Sequence, residues 1–255
     1  MKKRIVVLGG HGHIGSVIAL RLRDKGHEIV TVDLESSSTS RTNEFTEVIL
    51  HDQSLQYLEQ GITEAIGILG GEIDVLVIAT RFRSRRKGVP ESNRDDLKLT
   101  ADLDEHLLAG LISPVRAIEL VVPQMKKGSR VIVVCSTNAI SVSHQSLGYH
   151  ASAAGLLQAC RVISLRLAAR RIEIYPICLG VLERYGAKQR FEGTDFGNSE
   201  DIWQVGIDDL CEFVSFIVDK GLRSSMGEPI VLSAGRSAMD VTAAVKNVYG
   251  HHDVF

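Results

Sequence analysis

The stretch that decides the fold of this chain reads IVVLGGHGHIG over residues 5–15. Its first four residues are apolar and largely β-branched, which predicts a buried β-strand. Glycines at positions 9, 12 and 15 allow a sharp turn, and apolar residues at helical spacing follow. The N–H groups that begin such a helix can bind the pyrophosphate of a dinucleotide. The turn residues that we expect to contact the cofactor are Gly9, His11, Gly12, His13, Ile14 and Gly15.

Asp33 ends a second short strand, eighteen residues after Gly15. A carboxylate there can accept hydrogen bonds from both hydroxyls of an adenosine ribose and would repel a 2′-phosphate. We therefore expect NAD(H) as cofactor, with NADP(H) second. Arg41 and the serines before it favour NADP(H), because they could bind that phosphate. Glycine also marks turns that bind nothing, so a βα turn without a ligand is the alternative.

Length and charge narrow the class of protein. The 255 residues are 44% hydrophobic, enough to bury the core of one domain over residues 1–255. Lys and Arg total 29 against 31 Asp and Glu, so no overall charge favours nucleic acid or an anionic membrane. We expect no metal, no cleaved signal peptide and no membrane-spanning segment. Cys135, Cys160, Cys178 and Cys211 show no disulfide or metal spacing, which favours the cytoplasm. Cys135 and Cys178 lie in apolar strand-like runs, and we expect them to be inert core residues.

Short runs rich in Val and Ile recur along the whole chain and alternate with longer segments of helical periodicity. The runs cover residues 4–9, 28–33, 46–50, 73–79, 129–135, 172–178 and 229–233. This alternation predicts an α/β fold: one Rossmann-like, doubly wound domain with a seven-stranded parallel sheet and helices on both faces. Ligands of such folds bind beyond the carboxyl ends of the strands.

Two residues thirteen positions apart, Ser136 and Tyr149, add an active-site pattern to the Gly-rich turn and Asp33. With them, the chain resembles the short-chain dehydrogenase/reductase family over nearly its full length. Further matches follow in the family's order: Asp52 after the third strand, DVLV at 74–77, PQM at 123–125 and GEPIV at 227–231.

The resemblance implies a hydride-transferring oxidoreductase in which Tyr149 gives or takes the substrate proton and Ser136 orients the carbonyl. The family's lysine, four residues after the tyrosine, is replaced by Ala153, and its relay asparagine aligns with Gly110. An ordinary tyrosine, with a pKa of about 10, is protonated at neutral pH and can act as an acid. Carbonyl reduction therefore tolerates the missing lysine better than alcohol oxidation does.

The resemblance also implies further cofactor contacts. Asp52 follows the third strand, Ala79 and Thr80 stand where the family ends its fourth strand, and backbone at about Leu182 would meet the carboxamide. Arg184, a few residues later, or Arg81, at the end of the fourth strand, could reach the cofactor as a replacement cation. A solvated loop arginine is the alternative.

A basic cluster, RFRSRRK over residues 81–87, follows the fourth strand. Guanidinium groups bind carboxylate or phosphate in bidentate fashion, so Arg81 and Arg83 are candidates to bind a small anionic substrate. Charge runs are also common on solvated loops, which is the alternative.

Two functional hypotheses remain open. The first is an atypical NAD(H)-dependent oxidoreductase acting on a small carbonyl or alcohol; the second is a catalytically impaired NAD-binding module that acts as a sensor or partner subunit. Apolar residues on the helix predicted from Tyr149 to Arg170, and on a preceding one from about Leu103 to Lys127, predict a homodimer or homotetramer.

Overall fold

The structure, a computed structural model, describes residues 2–34, 46–80, 100, 102–142, 145–182, 204–222 and 226–233. The strands are β1 (Arg4–Leu8), β2 (Glu28–Leu34), β3 (Thr46–Leu50), β4 (Ile73–Ile78), β5 (Met125–Ser136), β6 (Glu173–Leu179) and β7 (Ile230–Leu232). The α-helices are α1 (His13–Asp24), α2 (Leu55–Ile68), α3 (Leu103–Leu107), α4 (Ser113–Val121), α5 (Leu147–Ala168) and α6 (Ile207–Lys220).

The strands form one sheet in the order β3-β2-β1-β4-β5-β6-β7, and every neighbouring pair is parallel. The predicted fold class and the seven-stranded parallel sheet are thus confirmed. The strand order reverses between β1 and β4, and in such sheets the ligand crevice opens beyond the carboxyl ends at that point. The Gly-rich turn follows β1 and therefore lies at this crevice.

The core has two layers, one on each face of the sheet, because side chains alternate between faces along each strand. In β1, Val6 and Leu8 pack toward α2, α4 and α5, whereas Ile5 and Val7 pack toward α1 and α6. All four residues are almost completely buried. Central strands covered on both faces are apolar at nearly every position, which explains why their runs are almost continuous in the sequence.

The helical stretch before β5 departs from two expectations. It is shorter than the predicted Leu103 to Lys127, because β5 begins at Met125, where that residue pairs with Ile73 of β4. The stretch Leu103–Gln124 has 22 residues, and an 18-residue window within it has a mean hydropathy of 1.4, so the expectation that no segment is long enough to span a membrane was wrong by length and composition. Its inward residues Ala117, Ile118 and Val121 belong to the core, and 28% of the window is buried.

The same stretch is not one regular helix. A single π-helical turn, Leu108–Ile112, separates α3 from α4, and a 3-10 turn, Val122–Gln124, ends it. Such π turns are often found at functional sites. Here the turn lies next to α5, which carries Tyr149.

Candidate active site

The Gly-rich turn is built by close backbone contacts that exclude side chains. Gly9 has a φ of +86°, and a Cβ there would lie 2.7 Å from the carbonyl oxygen of Ala79. At Gly15 a Cβ would lie 2.1 Å from the carbonyl oxygen of Gly9. Gly9 N–H also donates to Val32 O at 2.9 Å, which ties the turn to β2. Glycine is therefore required at both positions.

The helix after this turn begins without a side-chain cap. Gly12 is the N-cap residue, with extended backbone, and has no side chain to accept an N–H of the first turn. The first-turn N–H groups of a helix have no partner within the helix and carry the positive end of its dipole. The beginning of α1 is therefore suited to a phosphate group at the crevice.

Asp33 connects β2 with the Gly-rich turn. Its Oδ2 accepts the backbone N–H of His11 at 2.8 Å, and its Oδ1 accepts the N–H of Leu34 at 2.7 Å. Each carboxylate oxygen has a second lone pair, so the side chain can still accept bonds from two hydroxyls. Asp33 thus shapes the turn as well as offering acceptors for a ribose.

The ring of His11 contacts the edge of the sheet, an arrangement that the sequence did not indicate. Its Nδ1 is 3.2 Å from Leu34 O, and its Nε2 is 3.4 Å from Glu47 Oε2 on β3. The ring therefore lies on the β2–β3 side of the turn. His13, at the beginning of α1, is exposed.

The other predicted cofactor residues lie in different settings. Asp52 is exposed, and its Oδ1 accepts the N–H of Ser54 at 2.7 Å. Hydrogen bonds with the side chain and then the backbone of Ser54 lower the pKa of its carboxyl. Thr80 follows Ala79 at the end of β4, and its buried Oγ1 has no hydrogen-bond partner within the described residues. Leu182 is 6% exposed and forms a parallel bridge with Val205. Three predicted residues lie outside the described residues: Arg81, Arg83 and Arg184.

Ser136 and Tyr149 lie on two elements at the same end of the sheet. Ser136 is the last residue of β5, and its Oγ accepts the N–H of Asn138 at 3.2 Å. The hydroxyl proton of Ser136 can therefore point to a third group. Tyr149 is half-buried in the first turn of α5, which packs against the 3-10 turn Thr137–Ala139 that follows Ser136.

The positions of the two missing family residues are closely packed. Ala153 lies one helical turn after Tyr149 and is 7% exposed. Gly110, in the π turn, faces Ser152, and a Cβ on it would lie 2.9 Å from Ser152 Oγ. Ser152 Oγ in turn donates to Tyr149 O at 3.1 Å. A larger residue at position 110 would require this packing to change.

The four cysteines are reduced and buried, which agrees with the core positions expected for Cys135 and Cys178. Burial raises the pKa of Cys178 and of Cys211 to about 11 each. The pKa of Cys135 is also raised, mainly through its hydrogen bond with Cys160 and through burial. A thiol with a raised pKa is a poor nucleophile at neutral pH.

These features define a doubly wound α/β protein with a Gly-rich turn and a Ser–Tyr pair at the carboxyl ends of its strands. The sequence profile of the short chain dehydrogenase family matches residues 3–194. This chain belongs to the short-chain dehydrogenase/reductase family, whose members are oxidoreductases.

Relatives of known sequence and structure agree with this membership. The chain is 21% identical to a 3-oxoacyl-[acyl-carrier-protein] reductase, FabG, of Aggregatibacter actinomycetemcomitans over 192 residues, 72% of this chain and 77% of that protein. A dehydrogenase/reductase from Sinorhizobium meliloti 1021 has the same fold, with a TM-score of 0.73, 19% identity and coverage of 92% and 95%. A Burkholderia cenocepacia J2315 short chain dehydrogenase in complex with NADP gives a TM-score of 0.72, 18% identity and coverage of 91% and 96%.

Proposed function

We propose that this chain is an NAD(H)-dependent oxidoreductase that reduces a small, anionic carbonyl compound, with Tyr149 as the acid and Ser136 orienting the carbonyl oxygen. The main support for the proposal is the Ser136–Tyr149 pair, which lies at the same end of the sheet as the Gly-rich turn. A protein that only binds a nucleotide needs neither hydroxyl.

The residues at the crevice fit a dinucleotide. The glycines at positions 9, 12 and 15 leave space that a Cβ would fill, and Thr80 Oγ1 is a buried polar atom without a partner among the described residues. The turn and the beginning of α1 would hold the pyrophosphate, and Asp33 the adenosine ribose. When bound, the nicotinamide supplies the hydride.

The two hydroxyls have different tasks. Ser136 Oγ already accepts the N–H of Asn138, so its own proton is available to donate to a carbonyl oxygen. Tyr149 holds the proton that completes the alcohol, and it lies in a helical turn whose end is capped by Ser146. Reduction requires Tyr149 in its protonated form.

The basic cluster at residues 81–87 supports an anionic substrate. It follows directly after β4, one of the two strands between which the sheet order reverses. The relative from Aggregatibacter is named for a 3-oxoacyl substrate, which makes acetoacetyl-CoA, a 3-oxoacyl thioester with phosphate groups, a suitable probe. Replacing Arg81 and Arg83 with alanine should raise KM about tenfold or more and leave NADH affinity unchanged.

The cofactor choice rests on Asp33. A 2′-phosphate would approach a carboxylate whose two oxygens already accept backbone N–H groups. Titration calorimetry with NADH and NADPH tests this preference, and Asp33→Asn should narrow the difference. Tighter binding of NADPH by the unaltered protein would contradict it.

The enzyme proposal is tested by following nicotinamide absorbance with NADH and acetoacetyl-CoA. Tyr149→Phe should nearly abolish turnover while leaving the Kd of NADH unchanged, because the hydroxyl serves proton transfer. Tyr57→Phe, at a half-buried tyrosine that stacks on His51, is the matched control and should turn over normally. Equal turnover by the Tyr149→Phe variant would refute the role of Tyr149.

A non-catalytic NAD-binding module is the second candidate, favoured by Ala153 and Gly110 where the family has lysine and asparagine. Ala153→Lys distinguishes the two candidates. An enzyme that lacks only the cation gains activity when the lysine is restored, whereas a binding module binds NADH before and after the change and turns over in neither case.

A further inference from the structure

His106 is a buried histidine beside the candidate active site. It lies on α3 and is 8% exposed, and its Nε2 is 3.1 Å from the Oγ of Ser146. Forty positions separate the two residues in the sequence. A histidine that is buried at this level and hydrogen-bonded across two helices is held in one orientation by its surroundings.

Ser146 is the N-cap residue of α5, and the helix turn that it caps carries Tyr149. Its Oγ accepts the backbone N–H of Tyr149 at 3.3 Å. Imidazole, serine hydroxyl and tyrosine amide therefore form a continuous hydrogen-bonded chain that ends on the backbone of Tyr149. Whichever tautomer His106 adopts, the serine hydroxyl can serve both neighbours, since it has one proton and two lone pairs.

Close packing supports the same connection. A Cβ on Gly148 would lie 3.0 Å from both Cβ and Cδ2 of His106, so the absence of a side chain there lets the imidazole approach α5. The rings of His106 and Tyr149 lie with their centroids 6.0 Å apart at an interplanar angle of 60°. The imidazole thus contacts the beginning of α5 at three places: the cap residue Ser146, Gly148 and the phenol ring of Tyr149.

We propose that His106 is a positioning residue for Tyr149, acting through Ser146 and by ring contact, in a site where Ala153 leaves no lysine to hold the phenol. This inference rests on the proposed role of Tyr149 as the acid. Proton transfer depends steeply on placement, and a displacement of about 1 Å can cost about a hundredfold in rate. Loss of the His106 contact should therefore lower kcat and leave KM for the probe nearly unchanged.

Four variants separate the hydrogen bond from packing. His106→Phe keeps a ring but has no nitrogen, whereas His106→Gln retains a polar group near the position of Nε2. Ser146→Ala removes the middle of the chain. The double variant, His106→Phe with Ser146→Ala, should be no worse than either single variant, because all three break the same connection.

The first readout is NMR of isotope-labelled tyrosine, which needs no substrate. The chain has five tyrosines, and the signal that disappears in Tyr149→Phe identifies the one of interest. We expect His106→Phe and Ser146→Ala to shift the Tyr149 Cζ signal and His106→Gln to restore it. Ser54→Ala is the matched control. Ser54 caps α2 in the same way, since its Oγ accepts the N–H of Tyr57, and its removal should not shift the Tyr149 signal.

The second readout is turnover of acetoacetyl-CoA with NADH. We expect His106→Phe to lower kcat about tenfold or more with KM unchanged within about twofold, and His106→Gln to recover most of the loss. A Tyr149 signal that is unmoved in His106→Phe, or one that His106→Gln alters equally, would overturn the proposal. If the unaltered protein does not reduce the probe, the proposed function loses its support, while the NMR result still decides the role of His106.

Discussion

A buried polar network on β5 and β6 allows the stability of the sheet to be tested apart from the active site. The hydroxyl of Tyr175 donates to Glu173 Oε2 at 2.8 Å and accepts the N–H of Leu222 at 2.8 Å. Glu173 also accepts from Arg130 Nε at 2.9 Å. Tyr175 is fully buried. Glu173 is the first residue of β6, so it lies at the amino ends of the parallel strands, and the Gly-rich turn lies at their carboxyl ends.

Tyr175→Phe removes one oxygen atom and leaves the ring packing intact. Leu222 N–H then lacks its hydroxyl partner, whereas Glu173 Oε2 loses the bond from Tyr175 but keeps the one from Arg130. One unsatisfied buried group costs about 1–3 kcal/mol. Because Arg130 still donates to the same oxygen of Glu173, we expect a loss of about 1–3 kcal/mol in the free energy of unfolding. For a chain of this length that corresponds to a fall in Tm of about 2–12 °C.

Urea and thermal unfolding measure this loss, with Tyr57→Phe as the control that should change stability by less than about 0.5 kcal/mol. The Kd of NADH should be unchanged in folded Tyr175→Phe, because the network lies at the amino ends of the strands and the cofactor crevice lies at their carboxyl ends. A loss smaller than about 0.5 kcal/mol would refute the reasoning. So would weaker NADH binding by the folded variant.

The same hydroxyl gives the protein a pH dependence at the alkaline end. Burial raises the pKa of Tyr175 to about 12, against 10 for an ordinary tyrosine. Between pH 10 and about 12 the unfolded chain loses this proton while the folded protein keeps it. The free energy of unfolding therefore falls as the pH rises. Tyr175→Phe should lack this part of the dependence.

Three further outcomes are expected. Gly15→Ala should abolish NADH binding in calorimetry, because its Cβ would lie 2.1 Å from the carbonyl oxygen of Gly9. Gly67→Ala is the control and should bind NADH normally, because no atom lies within 4 Å of the added Cβ. Equal affinities of the two variants would contradict the prediction. Leu165→Arg should dissociate the expected homo-oligomer in light scattering, because Leu165 is 79% exposed on the outer face of α5; a monomeric unaltered protein would show the prediction wrong. Burial lowers the pKa of His27 in the folded protein from its ordinary value of 6.5. Below pH 6.5 the unfolded chain therefore binds more protons than the folded protein does. Stability should therefore fall as the pH drops below about 6.5, and His27→Asn should remove that slope.

The strands could be predicted from the sequence because a parallel sheet covered on both faces requires apolar residues at consecutive positions. The run at residues 46–50 matches β3 at both ends, and the others differ by a few residues at most. β5 differs most, since Met125 pairs with β4 before Arg130 does, across an irregularity at Ile73 to Val75. Lysines and a glycine in that segment hide the pairing from an apolar pattern.

The contacts of the candidate site could be predicted only where a short motif contains them. Asp33 is recognisable by its distance from the glycines, but the contact of His11 with Glu47 depends on how β2 and β3 pair. His106 and Ser146 meet only because α3 packs on α5. A π turn is a change in hydrogen bonding without a composition of its own, so residues 108–112 read as ordinary helix.

The π turn at Leu108–Ile112 has a consequence for how this protein could change over generations. Such a turn corresponds to one residue inserted into an α-helix, and one residue is about 100° of rotation. Deleting a single codon there would turn the segment that carries His106 away from α5, while Ala117 and Val121 kept their places in the core. The side of the helix that faces the crevice can therefore be altered by one mutational step without rebuilding the side that supports the sheet.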